Sequence, residues 1–175
     1  MERTIMTGDL RRQHILNDIN QSSVPLSASR IAKKYNVSRQ IIVGDVALLR
    51  ASGHDIMSTA RGYIISKHEG VIHQIAVSHT PQETEEELRI IINHGGIVLD
   101  VTVEHPVYGQ ITGMLNIKNE DDIQDFLKRV SQNDTGLLLT LTHGLHLHKI
   151  ECKNEATFEE IKSSLNNAGF LYHND

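Results

Sequence analysis

Hydrophobic positions along the first fifty residues recur with a helical period. In DLRRQHILNDIN, residues 9 to 20, Leu10, Ile15 and Ile19 fall near helical spacing and predict a short amphipathic helix. VPL at 24 to 26 breaks that pattern, and Ser27 offers a hydroxyl to cap a second helix, SRIAKKY. Asn36 suits the left-handed residue of a tight turn, with Val37 filling the corner. Ser38 can then cap a third helix, RQIIVGDVALLRAS, in which Ile42, Val46 and Leu49 recur at i, i+4 and i+7. Two helices joined by a turn of about three residues form a helix-turn-helix. Beyond Gly53, HDIMSTARGYII holds two short apolar runs around TARG, the pattern of a β-hairpin or wing. Residues 1 to 66 therefore predict a winged helix-turn-helix.

SKHEG, 66 to 70, is polar and reads as a linker, and from Val71 the period changes. VIHQIAVSH predicts a strand, TPQETEEELRIIINHGG a helix, and GIVLDVTVEHPVYGQITGMLNI two strands joined near HPVYG. NEDDIQDFLKRVSQND predicts a second helix, GLLLTLT and GLHLHKIEC two strands, NEATFEEIKSSLNNAG a third helix and FLYH a last short strand. Thr80-Pro81-Gln82-Glu83 has the form of a capping box with proline at the first helical position, and Gly95-Gly96 closes that helix. The fold class expected of residues 67 to 175 is α+β: a sandwich of one mixed or antiparallel sheet covered on one face by helices.

Composition adjusts this picture in three ways. Aromatics are 4% of the chain and tryptophan is absent, so the cores must rest on Ile, Leu and Val. The lone Cys152 can make no internal disulfide, no apolar run reaches the ~18 residues of a membrane span, and the polar N-terminus does not resemble a signal peptide. These features predict a cytoplasmic protein with no membrane partner. The net charge of −5 conceals an asymmetry: residues 1 to 66 carry 9 Lys/Arg against 5 Asp/Glu (+4), the remainder 8 against 17 (−9). A basic half next to an acidic one is a cue for nucleic-acid contact by the former.

In a helix-turn-helix the start of the second helix enters the major groove, which makes Ser38, Arg39, Gln40, Val43 and Gly44 the candidates to reach phosphates or base edges. Arg39 can pair with guanine and Gln40 with adenine, and Gly44 permits close approach. Arg61 stands at the tip of the wing. Each of these is also an ordinary solvated residue taken singly, and their joint placement carries the reading.

Eleven histidines stand in the chain. His146 and His148, two apart on a predicted strand, project to one side of the sheet and can chelate a borderline divalent transition metal (Zn, Ni, Fe or Mn), or simply decorate that face. His79 ends the first strand of the second half, just before a helix that begins with Glu83, Glu85, Glu86 and Glu87. Glu85 and Glu86 read as a solvated, dipole-compensating first turn, and Glu87 can turn back over the sheet near His79. His143 is a rival ligand, and His105, at the bend before Pro106, can line a pocket or face solvent. HEGVIH is no zinc-protease motif, because His68 and His73 are five residues apart and one helical face cannot present both. An enzyme with a metal-activated water is the competing class, but no nucleophile elbow, phosphate loop, dinucleotide fingerprint or CxxC accompanies the histidines.

LSASRIAKKYNVSRQIIVGDVALLRASGHDI resembles the winged helix-turn-helix found before bacterial ligand-sensing domains. SHTPQETEEELRIIINHGGIVLDVTVEHPVYG, followed by GLHLHKIE, resembles the domain named 3H for its histidines. Together they are similar, over nearly the whole chain, to the NiaR-type family of nicotinate-responsive transcriptional repressors of NAD biosynthesis and niacin uptake. That resemblance implies a metal held by His79, Glu87, His146 and His148. It also implies a homodimer on palindromic operator DNA and nicotinic acid as co-repressor. The expected effector seat is the metal's open position near His105 and Tyr108. A repressor of the same build that senses the metal itself is the alternative.

Overall fold

The computed structural model describes residues 6–65, 67–134 and 136–173, so Ser66, with which the linker reading begins, lies outside it. The chain divides into two units, 1–67 and 68–175. No described helix is long and apolar enough to cross a membrane.

The first unit holds α1 (Gly8–Gln21), α2 (Ala28–Tyr35), α3 (Arg39–Ala51), β1 (Met57–Thr59) and β2 (Gly62–Ile64). Each helix starts on a hydroxyl: Thr7, Ser27 and Ser38 accept from the amides of Leu10, Arg30 and Ile41 at 3.3, 3.1 and 3.2 Å. Asn36 is left-handed, φ 52° and ψ 46°, and turns the chain between α2 and α3. Ile15, Ile19, Ile31, Ile42, Val46, Leu49 and Ile56 form the core. Burial of each such side chain contributes roughly 1.5–3 kcal/mol. Leu10 departs from expectation and is 45% exposed; five residues before Ile15, it lies about 140° around the helix.

In the wing Met57 pairs with Ile64, Ser58 with Tyr63 and Thr59 with Gly62. Leu26 bridges β2 from its other edge by exchanging both backbone hydrogen bonds with Tyr63, at 2.8 and 2.9 Å. Gly62 has φ 138°, and a Cβ there would stand 2.3 Å from the Leu26 carbonyl oxygen, so only glycine permits this approach.

The second unit runs β3 (Val71–Ser78), a 3-10 turn (Pro81–Glu83), α4 (Thr84–Asn93), β4 (Ile97–His105), β5 (Gly109–Ile117) and α5 (Glu120–Gln132). A 3-10 segment (Leu138–Thr142), β6 (Leu145–Cys152) and α6 (Glu155–Asn167) complete it. The sheet order is β3-β6-β4-β5, with every pairing antiparallel. Cross-strand partners point to one face, so Ile75 with His148 and Val77 with His146 share the side that also carries Ile150 and Cys152. α4, α5 and α6 cover that side with Leu88, Ile91, Ile123, Phe158, Ile161 and Leu165. Ile72 and Leu145 are exposed.

GLLLTLT is not the strand its alternation predicts. Thr140 and Thr142 donate their hydroxyls to the carbonyls three residues back, at 2.7 and 3.3 Å, and the segment is bracketed by left-handed Gly136 and His143. These local bonds give the backbone an alternative to a sheet ladder. FLYH is reduced to one bridge between Leu171 and Val77, supported by Ser78 N–H to Phe170 O at 2.8 Å and Tyr172 N–H to Ala76 O at 2.9 Å.

Candidate metal centre and nucleic-acid interface

β3 and β6 run antiparallel in a register that sets Val77 opposite His146 and Ile75 opposite His148. His79 follows one residue beyond β3 and swings onto the helix-covered side. Gly144 makes this possible: its φ is 101°, and a Cβ there would meet the His79 carbonyl oxygen at 2.5 Å. Glu83 fixes the start of the covering helix, its carboxylate accepting from the Thr80 N–H at 2.8 Å and hydroxyl at 2.7 Å. One turn further on, Glu87 points back at the sheet and is fully buried.

The result is a cluster of three imidazoles around one carboxylate. Glu87 Oε2 lies 2.7 Å from His79 Nε2 and 3.6 Å from His146 Nε2, while Glu87 Oε1 lies 3.4 Å from His148 Nε2. All four residues are buried. The rings of His79 and His146, and of His146 and His148, meet edge to face at 4.9 and 4.8 Å.

Each imidazole has its other nitrogen engaged. Nδ1 of His79 donates to Thr80 O at 2.8 Å, Nδ1 of His146 to Gly144 O at 2.8 Å and Nδ1 of His148 to Asp100 O at 2.5 Å. A carbonyl can only accept, so all three Nδ1 atoms carry a proton and all three Nε2 atoms face the carboxylate. This is the arrangement by which outer hydrogen bonds orient histidine ligands. Glu87 Oε1 has no hydrogen bond although it is buried, the kind of orphaned acceptor that a cation satisfies.

Burial pushes the Glu87 carboxyl up, but the charge of His148 and the polar contacts with the three imidazoles outweigh it and hold the group well below the usual carboxylate range. Burial lowers His79 and His148, but the hydrogen bond of His79 to Glu87 and the attraction of His148 to the Glu87 charge win and raise both. The donor atoms of His79, Glu87 and His146 lie close enough together to hold a divalent metal ion, and the locked tautomers of the three histidines suit one.

In the first unit the start of α3 presents Ser38, Arg39, Gln40 and Gly44 to solvent, with Val43 half-buried. A Cβ at Gly44 would have open space around it. Ile41 and Leu48, 42% and 53% exposed, share this open surface of the helix, where apolar groups can meet thymine methyls. Neither stands out in the sequence, because Ile42, Val46 and Leu49 already supply the apolar period of the helix. Arg61 sits in the turn between β1 and β2, its N–H donating to Thr59 Oγ1 at 3.2 Å.

Asp45 is a further residue that sequence pattern does not single out. It is 3% exposed, accepts from Arg11 at 2.6 and 3.2 Å and from Arg12 at 3.2 Å, and ties α1 to α3. Two of the basic half's cations are thereby committed internally. The available signal was a carboxylate among Ile42, Val46 and Leu49 on the apolar face of α3, which requires buried partners.

His105 and Tyr108 lie at the tip of the β4-β5 hairpin, rings 5.0 Å apart. His105 Nδ1 accepts from the amides of Val107 and Tyr108 at 3.2 and 3.4 Å, and Tyr108 is 76% exposed. Neither lines the cavity that opens on Glu87. His143 is exposed and outside the cluster. Glu151, further along β6, accepts from His68 Nδ1 at 2.8 Å and from the amides of Glu69 and Gly70 at 2.9 and 3.3 Å. It anchors the segment that enters the second unit.

Comparison with known proteins agrees with this division. Residues 72–174 match the family model described as 3H domain, and residues 11–64 match one described as HTH domain. The chain is 41% identical over 162 residues to "Probable transcription repressor NiaR" of Thermotoga maritima, covering 92% of this chain and 93% of that one. It is 36% identical over 175 residues to "Transcription repressor NadR" of Bacillus subtilis, covering 97% of each.

Proposed function

The chain belongs to the NiaR-type family of 3H-domain transcription repressors, and on that premise we propose that it represses genes of NAD biosynthesis and niacin uptake in the cytoplasm, with nicotinic acid as co-repressor. It is a DNA-binding regulator and not an enzyme. Residues 1–66 form the DNA-binding part and 67–175 the metal- and effector-binding part. The observation that carries the sensing half is the cluster of His79, Glu87, His146 and His148, each imidazole oriented by a carbonyl.

In this reading these four residues hold a divalent transition metal (Zn, Ni, Fe or Mn), which supplies a Lewis-acidic site for an anionic effector. Three neutral imidazoles and one carboxylate around a divalent ion leave one positive charge, and a buried net charge is costly. A monoanion such as a pyridine carboxylate offsets it; the neutral amide does not.

On DNA, a homodimer sets two copies of α3 about one helical turn apart, ~34 Å, on a palindromic operator. Ser38, Arg39, Gln40, Val43 and Gly44 face the major groove and Arg61 serves the wing. Effector binding favours the dimer geometry that fits the operator, by no more than the effector's differential affinity for the two geometries.

The test is a gel-shift with a palindromic operator. Nicotinic acid tightens binding and nicotinamide does not; equal action by both, or none by either, overturns the effector assignment. The depth at which the four donors are buried favours one other reading, a repressor for which the metal itself is the signal. Undiminished nicotinate binding after chelation, with operator binding following metal occupancy, would select it.

A further inference from the structure

Between α4, α5, the sheet and the 3-10 segment lies a cavity of about 170 Å³, lined by Val101, Phe126, Val130 and Leu138 and opening onto Glu87, His146 and His148. Thr84, one turn before Glu87 on α4, also lines it. Thr84 is 5% exposed and its hydroxyl, buried, has no hydrogen-bond partner. The carbonyl a helical threonine usually bonds, four residues back, is here engaged by His79 Nδ1 at 2.8 Å. An apolar chamber thus carries two orphaned oxygens, Thr84 Oγ1 and Glu87 Oε1.

From these features we infer that this cavity is the effector seat, that it takes a single aromatic ring bearing one acceptor group, and that Thr84 donates its hydroxyl to that group. The inference rests on the sensing role proposed above and deepens it. Size supports the ring: an aliphatic-lined cavity of roughly 150 Å³ accommodates benzene. Polarity supports the acceptor, since a buried hydroxyl without a partner is costly and a ligand oxygen or ring nitrogen repairs it. The walls come from two helices, three strands and a 3-10 segment far apart in sequence, so ring binding braces α4, the helix that carries Glu87. The exposed hairpin tip of His105 and Tyr108 is a different place from this seat.

Calorimetric titration of the metal-loaded full-length chain with nicotinate decides it, with metal content and thermal melting measured on every variant. Thr84→Val lowers nicotinate affinity about tenfold, Thr84→Ser restores it, and metal content is unchanged in both. Val130→Phe fills the chamber and abolishes binding, whereas Tyr108→Ala leaves it intact. Wild-type affinity in both Thr84→Val and a normally melting Val130→Phe overturns the seat, as does loss of binding in Tyr108→Ala. Should Val130→Phe melt early, the Thr84 pair decides alone. If the wild-type chain binds its operator but not nicotinate, the nicotinate reading fails, and benzoate then tests the cavity: binding lost in Val130→Phe supports the seat, and no binding to wild type overturns it.

Discussion

His148 donates its Nδ1 proton to the backbone carbonyl of Asp100 at 2.5 Å. A carbonyl on β4 thereby decides which nitrogen of a β6 histidine is free to meet Glu87. Because β4 and β6 are sheet neighbours, the ring is held on both sides, by the sheet behind and by α4 in front. Substituting His148 by Ala removes a donor and leaves Glu87 buried with fewer partners. Metal affinity should fall by more than the 10–100-fold typical of outer-sphere changes. Metal content after dialysis, beside an unchanged melt of the N-terminal unit, checks this.

Gly144→Ala tests whether the site depends on backbone approach as well as on ligands. The added Cβ would meet the His79 carbonyl oxygen at 2.5 Å in a backbone with φ 101°. The left-handed conformation alone costs roughly 1–2 kcal/mol, and the clash displaces His79. Weaker metal binding with all four ligand residues still in place is the expected result; wild-type affinity would show that the approach tolerates a methyl.

Asp45→Ala leaves Arg11 and Arg12 without their buried acceptor. Breaking a charged, mostly buried pair costs about 2–3 kcal/mol here, less than for a fully buried one because the arginines keep some access to water. Urea denaturation of the full-length chain should show the N-terminal transition shifted and the C-terminal one unmoved.

Arg39→Ala and Gln40→Ala should each weaken operator binding by about 1–3 kcal/mol and relax discrimination at one base pair per half-site. Nicotinate affinity should not change. Binding to a set of operators with single substitutions separates this from a loss of phosphate contact, which would weaken all sequences alike.

Burial pushes the Glu151 carboxyl up, but the bonds from His68 and the amides of Glu69 and Gly70 outweigh it and lower the group below its usual range. The sign follows: folded Glu151 holds its proton less tightly than unfolded Glu151, so its stabilisation is complete above the unfolded pKa. It is lost as pH falls through the folded one. Glu151→Gln should therefore flatten the acid limb of the stability profile and leave neutral pH less protected, as thermal melts between neutral and acid pH will show.

The features legible in the chain are local. Ser27, Asn36 and Ser38 specify the helix-turn-helix because caps and left-handed turns depend on side chains bonding to amides within a few residues. The H-x-H spacing placed His146 and His148 on one face because a strand has period two. The family resemblance, and not the spacing, singled out Glu87 from its neighbours.

Packing across the fold settles which surfaces meet. It brought Glu87 to the three imidazoles through the pairing of β3 with β6 and the docking of α4. It gave Asp45 its arginines, left His105 and Tyr108 out of the cavity's lining, and made GLLLTLT a 3-10 segment that walls that cavity. Most of these contacts join residues tens of positions apart and rest on satisfying buried polar groups, whose partners leave no period in the chain.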